Sequence, residues 1–209
     1  MVWSPSLLSL LLGVAFASDA PAVDDTAFEP LKVAHGCQFS MRPEDHVERS
    51  ALQATCHWPG VDPVVMAAEL QKLERYAEYV YPIEVSRLVR DEGHQWLVYQ
   101  RQHVWPIADR EVLLWMTPHP LAEGGLHLAW SAATDEPLSL QKGSIRVPRN
   151  DGFWRVEPHA QGGSLVVHRI AMDGGGKIPR WLVELVRTRG FMQVMEDVRG
   201  LMKASTEAR

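Results

Sequence analysis

The stretch from Gly163 to Lys203 leaves this chain few ways to fold. Ser164-Leu-Val-Val-His-Arg-Ile-Ala-Met172 is rich in β-branched and aliphatic residues, the composition of a strand in a half-buried sheet. Asp173-Gly-Gly-Gly-Lys177 breaks it, because consecutive glycines adopt backbone angles that strand and helix interiors do not use. Pro179 then stands where a first helical turn tolerates proline. From there Ile178, Trp181, Leu182, Leu185, Met192, Met195 and Met202 recur at steps of three, four or seven, and Val186, Val194, Val198 and Leu201 widen the stripe. The spacing predicts one long amphipathic helix over 178–203, whose broad apolar face must lie on something apolar.

Most of the chain before it reads as sheet. Leu31–Met41 and Arg49–Trp58 are extended segments joined by a turn at Arg42–His46. Val61-Asp62-Pro63 opens a helix, with Asp62 as N-cap and Pro63 as first helical residue. Its apolar face runs through Val65, Ala68, Leu70, Leu73, Ala77 and Val80, and Tyr81-Pro82 ends it. From Ile83 the period changes to two. Strands are predicted over 83–90, 94–104, 111–117, 126–133, 140–147 and 152–156, with a corner at Trp105-Pro106. Hairpins following hairpins make an antiparallel sheet, and helices near the front and at the end make the class α+β. A curved sheet gripping a long C-terminal helix encloses either a cavity or a solid core. The helix methionines suit irregular filling.

The 209 residues suffice for one domain, with 46% apolar and 22% charged residues, so the chain is globular. A net charge of −5, with both signs mixed along the chain, argues against nucleic acid as a partner, which needs a basic face. It leaves room for transient membrane contact through a small apolar loop. Leu7–Phe16 is an apolar run shorter than the roughly 20 residues that span a bilayer. Ala15-Phe16-Ala17 matches the small-x-small pattern of signal-peptide cleavage. Residues 1–17 are therefore expected to be a signal peptide, 18–30 a linker and 31–209 the domain, with an exported, periplasmic location. In an oxidising compartment Cys37 and Cys56, placed symmetrically about the turn, have two readings: a disulfide, or two small buried hydrophobes.

Trp105-Pro-Ile-Ala-Asp-Arg-Glu-Val112 resembles a segment of START domains, the lipid-transfer family related to the steroidogenic acute regulatory protein. Ser131-Ala-Ala-Thr-Asp135, Gln141-Lys-Gly-Ser-Ile-Arg146 and Trp154-Arg-Val-Glu-Pro158 follow in the family's order, and Asp173-Gly-Gly-Gly-Lys-Ile-Pro-Arg-Trp181 looks like its junction into the last helix. The likeness covers Val61 to Lys203. It implies the helix-grip fold, one lipid or other hydrophobic small molecule held beneath the C-terminal helix, and no cofactor. Sterol-binding members carry an internal acid–base pair. Here its arginine falls on Met116 and its acid near Gln100 or Arg101, which puts a cholesterol-like ligand in doubt. Arg146 aligns with an arginine of the family.

The ligand-binding residues expected are Leu114, Met116, Trp130, Arg146, Val167, Arg169, Trp181, Leu185 and Met192. Arg169 has two readings: inward, where its fork would match an anionic lipid head or a fatty-acid carboxylate, or outward to water. A gate is expected at Leu121, Gly124 and Gly125 in one loop and at Gly174, Gly175 and Gly176 in the other. Arg110 reads as a structural ion pair at the corner. The nine histidines lack metal-site spacing, so no metal is expected. The carrier is expected to be a monomer and not an enzyme. The alternatives are a cyclase or hydrolase of a related helix-grip superfamily, which needs a convergent acid–base set, and a ligand sensor or protein-binding module.

Overall fold

The computed structural model describes residues 27–43, 50–185 and 189–208. The strands are β1 (Glu29–Ala34), β2 (Cys37–Arg42), β3 (Ala51–Trp58), β4 (Ile83–Asp91), β5 (Trp96–Gln102), β6 (Arg110–Pro120), β7 (Leu126–Ala132), β8 (Ile145–Arg146), β9 (Arg149–Pro158) and β10 (Ser164–Asp173). The helices are α1 (Pro63–Leu70), α2 (Tyr76–Tyr79), α3 (Arg180–Leu185) and α4 (Phe191–Glu207). The strands form one sheet in the order β1-β2-β3-β10-β9-β7-β6-β5-β4, antiparallel throughout, with β8 added parallel to β6. This is the α+β, helix-grip architecture that the periodicity implies.

Period-two alternation sorts the side chains into an inner and an outer face. Val98, Leu114, Met116, Leu128, Trp154 and Val166 point inward to the main core. The inner stripe of α4 closes that core with Phe191, Val194, Met195, Val198 and Met202, all buried. Leu97, Tyr99 and Leu113 point the other way and pack with Ala133, Trp115 and Leu138, so the connection after β7 roofs part of the outer face. The start of α1 is tied to the end of α4, since the Asp62 N–H donates to Thr206 Oγ1 at 3.1 Å. Among the described residues no helix is long and apolar enough to cross a membrane.

Four local readings are corrected. Leu31–Met41 is two strands, because His35 and Gly36 both adopt positive φ (53° and 75°) and fold β1 onto β2. β1 begins inside the expected linker, and Phe28 before it stacks on the Arg42 and Arg169 guanidinium groups. The first helix is capped as expected, with Asp62 accepting from Val64 and Val65 N–H, but it ends at Leu70. There the Tyr76 hydroxyl donates to the freed Leu70 carbonyl at 2.6 Å, and a 3₁₀ turn at Leu73–Arg75 leads into α2. The predicted strand at 140–147 shrinks to Ile145–Arg146. The expected signal peptide, most of the turn at Arg42–His46 and Val186 of the helical stripe lie outside the described residues. Cys37 and Cys56 are cross-strand partners in β2 and β3 and are joined by a disulfide.

Candidate functional site

The inner faces of β3, β5, β6, β7, β9 and β10 and the undersides of α3 and α4 enclose a cavity of about 220 Å³. Its walls are mostly apolar: Leu52, Leu114, Met116, Ile170, Phe191 and Val194. It opens between the α2–β4 junction at Tyr81–Ile83, the β5–β6 corner at Val104 and Ile107, and the glycine junction at Gly174–Gly176. Tyr81 and Gly176 are its exposed lining residues at that end.

Leu114, Met116 and Trp130, named from the sequence, line this cavity, and so do Gly174, Gly175 and Gly176. The other named residues lie elsewhere. His168, Ile170 and Met172 of β10 face inward, so Val167 and Arg169, at the alternate positions, face outward. Arg169 instead donates to Gln53 Oε1 and lies over the Phe28 and Phe153 rings, 4.5 and 5.1 Å from their centroids. Arg146 is pinned to the loop after β7, its Nη2 donating to the carbonyls of Ala133, Thr134 and Glu136. Leu182 and Val183 occupy the cavity side of α3, which turns Trp181 (61% exposed) and Leu185 outward. Met192 packs at the edge of the core. The expected gate at Leu121, Gly124 and Gly125 lies at the wrong end. β6 enters at the cavity mouth with Arg110 and runs 11 residues, about 35 Å, to Pro120. Gly124 there meets Val64 of α1.

The ligand-binding set expected from the sequence left out the polar lining residues. Gln100, Gln102, Arg110, Asn150 and His168 all line the cavity, and each is at least nine-tenths buried. The signal was present: stepping back by two from Leu114 along β6 reaches Val112 and Arg110 on the inner face. Asn150 accepts the Trp130 indole N–H at 3.0 Å. His168 stacks on Trp154, with centroids 3.7 Å apart and planes 6° apart, and against Phe191. Its Nδ1 lies 3.1 Å from the Phe153 carbonyl, so Nδ1 carries the proton and Nε2 is an acceptor. Burial pushes the His168 pKa down to about 3, so the ring is neutral. Arg110 makes no ion pair among the described residues, contrary to the sequence reading. Its guanidinium donates to the carbonyls of Ala108, Gly174 and Gly175.

Glu84, His103 and Asp109 bring potential ligand atoms within 4.8 Å of one another outside the cavity. Arg101 already supplies a cation there, 3.3 Å from Glu84 and 3.8 Å from Asp109. Hydrogen bonding to Asp109 holds the His103 pKa above its ordinary value, which favours imidazolium over a metal-binding imidazole.

No protein-family model matches the chain. An uncharacterized protein of Pseudomonas aeruginosa is 27% identical over 124 residues, 58% of this chain and 60% of that protein, so the match leaves a substantial part of the relative unaligned. The structure of a STAR-related lipid transfer protein from Xanthomonas axonopodis superposes with a TM-score of 0.73 at 20% identity, covering 85% of this chain and 99% of that one. Human STARD10 gives 0.75 at 10% identity, covering 86% and 74%. A looser likeness, 0.50 at 12% identity over 76% and 50%, is to the di-domain ARO/CYC BexL. The chain therefore has the START-type helix-grip fold, one that both lipid-transfer domains and aromatase/cyclases use.

Proposed function

We propose that the protein is a carrier that binds a single hydrophobic molecule in this cavity and exchanges it at a membrane surface. The observation that carries the reading is the apolar cavity between sheet and C-terminal helices, opening at one end of the sheet. Burying apolar ligand surface supplies about 25 cal/mol per Å². The solved lipid-transfer domains of the same fold support the reading.

The rim supports the exchange step. Trp105 (80% exposed), Tyr81 and Trp181 stand in water around the mouth, where large apolar groups in a monomer are normally covered. Trp and Tyr favour the boundary of water and lipid, because the ring is apolar and one edge is polar. The glycine junction, Gly174–Gly176, is the proposed gate.

An enzymatic reading would have to use as a base either Asp173, which already accepts the Gly175 N–H at 3.0 Å, or His168. The buried, neutral ring of His168, with a pKa of about 3, is a weak one.

The test is native mass spectrometry of the protein purified from the host, before and after denaturation. A lipid released on denaturation, or taken up from a mixed lipid extract, is the expected result. A clean apo mass with no uptake overturns the carrier reading. For the membrane step, Trp105→Ser with Trp181→Ser is expected to reduce cosedimentation with zwitterionic vesicles while leaving uptake from detergent unchanged. Equal cosedimentation refutes the role of the rim.

A further inference from the structure

We infer that the ligand of this cavity is an apolar monocarboxylate, such as a single-chain fatty acid, whose carboxylate sits against Arg110 with Gln100 and Gln102 beside it. The inference rests on the carrier reading above and specifies the headgroup.

Arg110 opens β6 on the inner face and is 4% exposed. Its guanidinium has five N–H donors. Those bound in the protein go to neutral carbonyls: Ala108 from Nη1, Gly174 from Nε at 3.3 Å and Gly175 from Nη2 at 3.4 Å. Two of these contacts are long, and donors remain on both terminal nitrogens. The acids nearby are engaged elsewhere. Asp109 holds His103 at 2.7 Å and faces Arg101, and Glu111 accepts the Gln141 N–H on the opposite face of β6. Asp173, at the same mouth, accepts the Gly175 N–H at 3.0 Å. Asp109 acts on the Arg110 cation only through space, and a buried cation with no ion-pair partner is costly unless a counter-ion joins it.

The neighbouring amides fit the same guest. Gln102 is the cross-strand partner of Arg110, and Gln100 stands two residues along on the same face. Both are buried against the cavity, and neither side chain has a hydrogen-bond partner among the described residues. Their NH₂ groups and the guanidinium fork form a donor-rich end to a pocket whose other end is Met116, Trp154 and Phe191. A carboxylate accepts from such a fork in two parallel bonds. One cation with two amides balances one negative charge, short of a phosphomonoester dianion. The volume, about 220 Å³, falls below the roughly 300–1,000 Å³ of drug-sized sites, which suits one chain or a small ring system better than a diacyl lipid.

The experiment compares decanoic acid with 1-decanol, which differ only in the head, by displacement of the neutral dye Nile red from the wild-type protein at pH 7.5. The acid is expected to bind at least tenfold more tightly, about 1.4 kcal/mol. Arg110→Gln is expected to bring that ratio below about threefold, and Gln102→Leu to reduce it by a smaller factor. Equal affinity of the wild type for acid and alcohol, or a preference for the alcohol, overturns the inference and leaves Arg110 as a fastener of the glycine junction. This comparison needs no variant, so a misfolded Arg110→Gln does not blunt it. Failure of Nile red, acid and alcohol alike to bind overturns the carrier reading itself, a result distinct from loss of selectivity.

Discussion

Replacing Met116 by Glu tests whether the cavity wall is dry. Met116 is 1% exposed, paired across β5 and β7 with Trp96 and Trp130, and lies on the apolar side of the cavity. Removing its buried side chain costs about 1.5–3 kcal/mol. Met116→Gln shares that loss, so the comparison of the two variants isolates the charge. A carboxyl on an apolar wall has its folded pKa raised, by about 2–3 units at this degree of burial. At 1.36 kcal/mol per unit, the Glu variant is expected to lose about 3–4 kcal/mol relative to the Gln variant. The sign follows from linkage. The unfolded Glu releases its proton near its ordinary pKa of about 4.3 while the folded one holds it, so stability falls as pH rises from there to the folded pKa and is flat above. Urea unfolding of both variants at intervals from pH 4 to pH 8 reads this directly. The two are expected to agree at pH 4 and to diverge by pH 8. Parallel profiles would refute the reasoning, because they would mean that water reaches position 116.

Other outcomes follow from the same geometry. Burial holds His168 at a pKa of about 3 and His127 at about 4, so both are neutral when folded and protonate only when unfolded as pH falls below about 6.5. Stability is expected to drop between pH 7 and pH 5 by about 2 kcal/mol for each, and His168→Leu should flatten its share of that slope. An unchanged slope in unfolding titrations refutes the His168 assignment. Reducing the Cys37–Cys56 bond, which spans 19 residues, is expected to cost about 3 kcal/mol through the entropy of the unfolded chain, read from denaturation with and without reductant. Arg169→Met removes cation–π contacts on the outer face and is expected to cost about 1 kcal/mol while leaving decanoate affinity within twofold. A tenfold loss of affinity would put Arg169 back in the site.

The frame was legible because its signals are local. The β-branched and aliphatic run of Ser164–Asp173, glycine at the junction, and a three-and-four stripe through Phe191–Met202 each depend on near neighbours. What misled was parity and hidden partners. Arg169 lies one residue from His168, and a one-residue offset decides which face a strand residue occupies. Trp181 and Leu185 belong to a helix that is apolar on both sides, so periodicity alone could not say which side meets the cavity. The first helix ends at Leu70 because a tyrosine six residues on takes its last carbonyl, a contact that no propensity encodes. Arg110 read as a corner ion pair because acids flank it in sequence. Its strand turns those acids away from it.

The place of β10 in the sheet has a kinetic consequence. It lies between β3 and β9, pairing Ala171 with Ala51 on one side and with Asp151 on the other. The first three strands therefore have no seat in the sheet until nearly the whole chain has been made. A chain stopped before Ser164 carries two unpaired edges, on β3 and on β9, and no C-terminal helices to cover the inner face. Contacts this distant in sequence make folding slow and late, and concentrate it in one step. A chain of this topology cannot close its sheet before Ser164–Asp173 has been made.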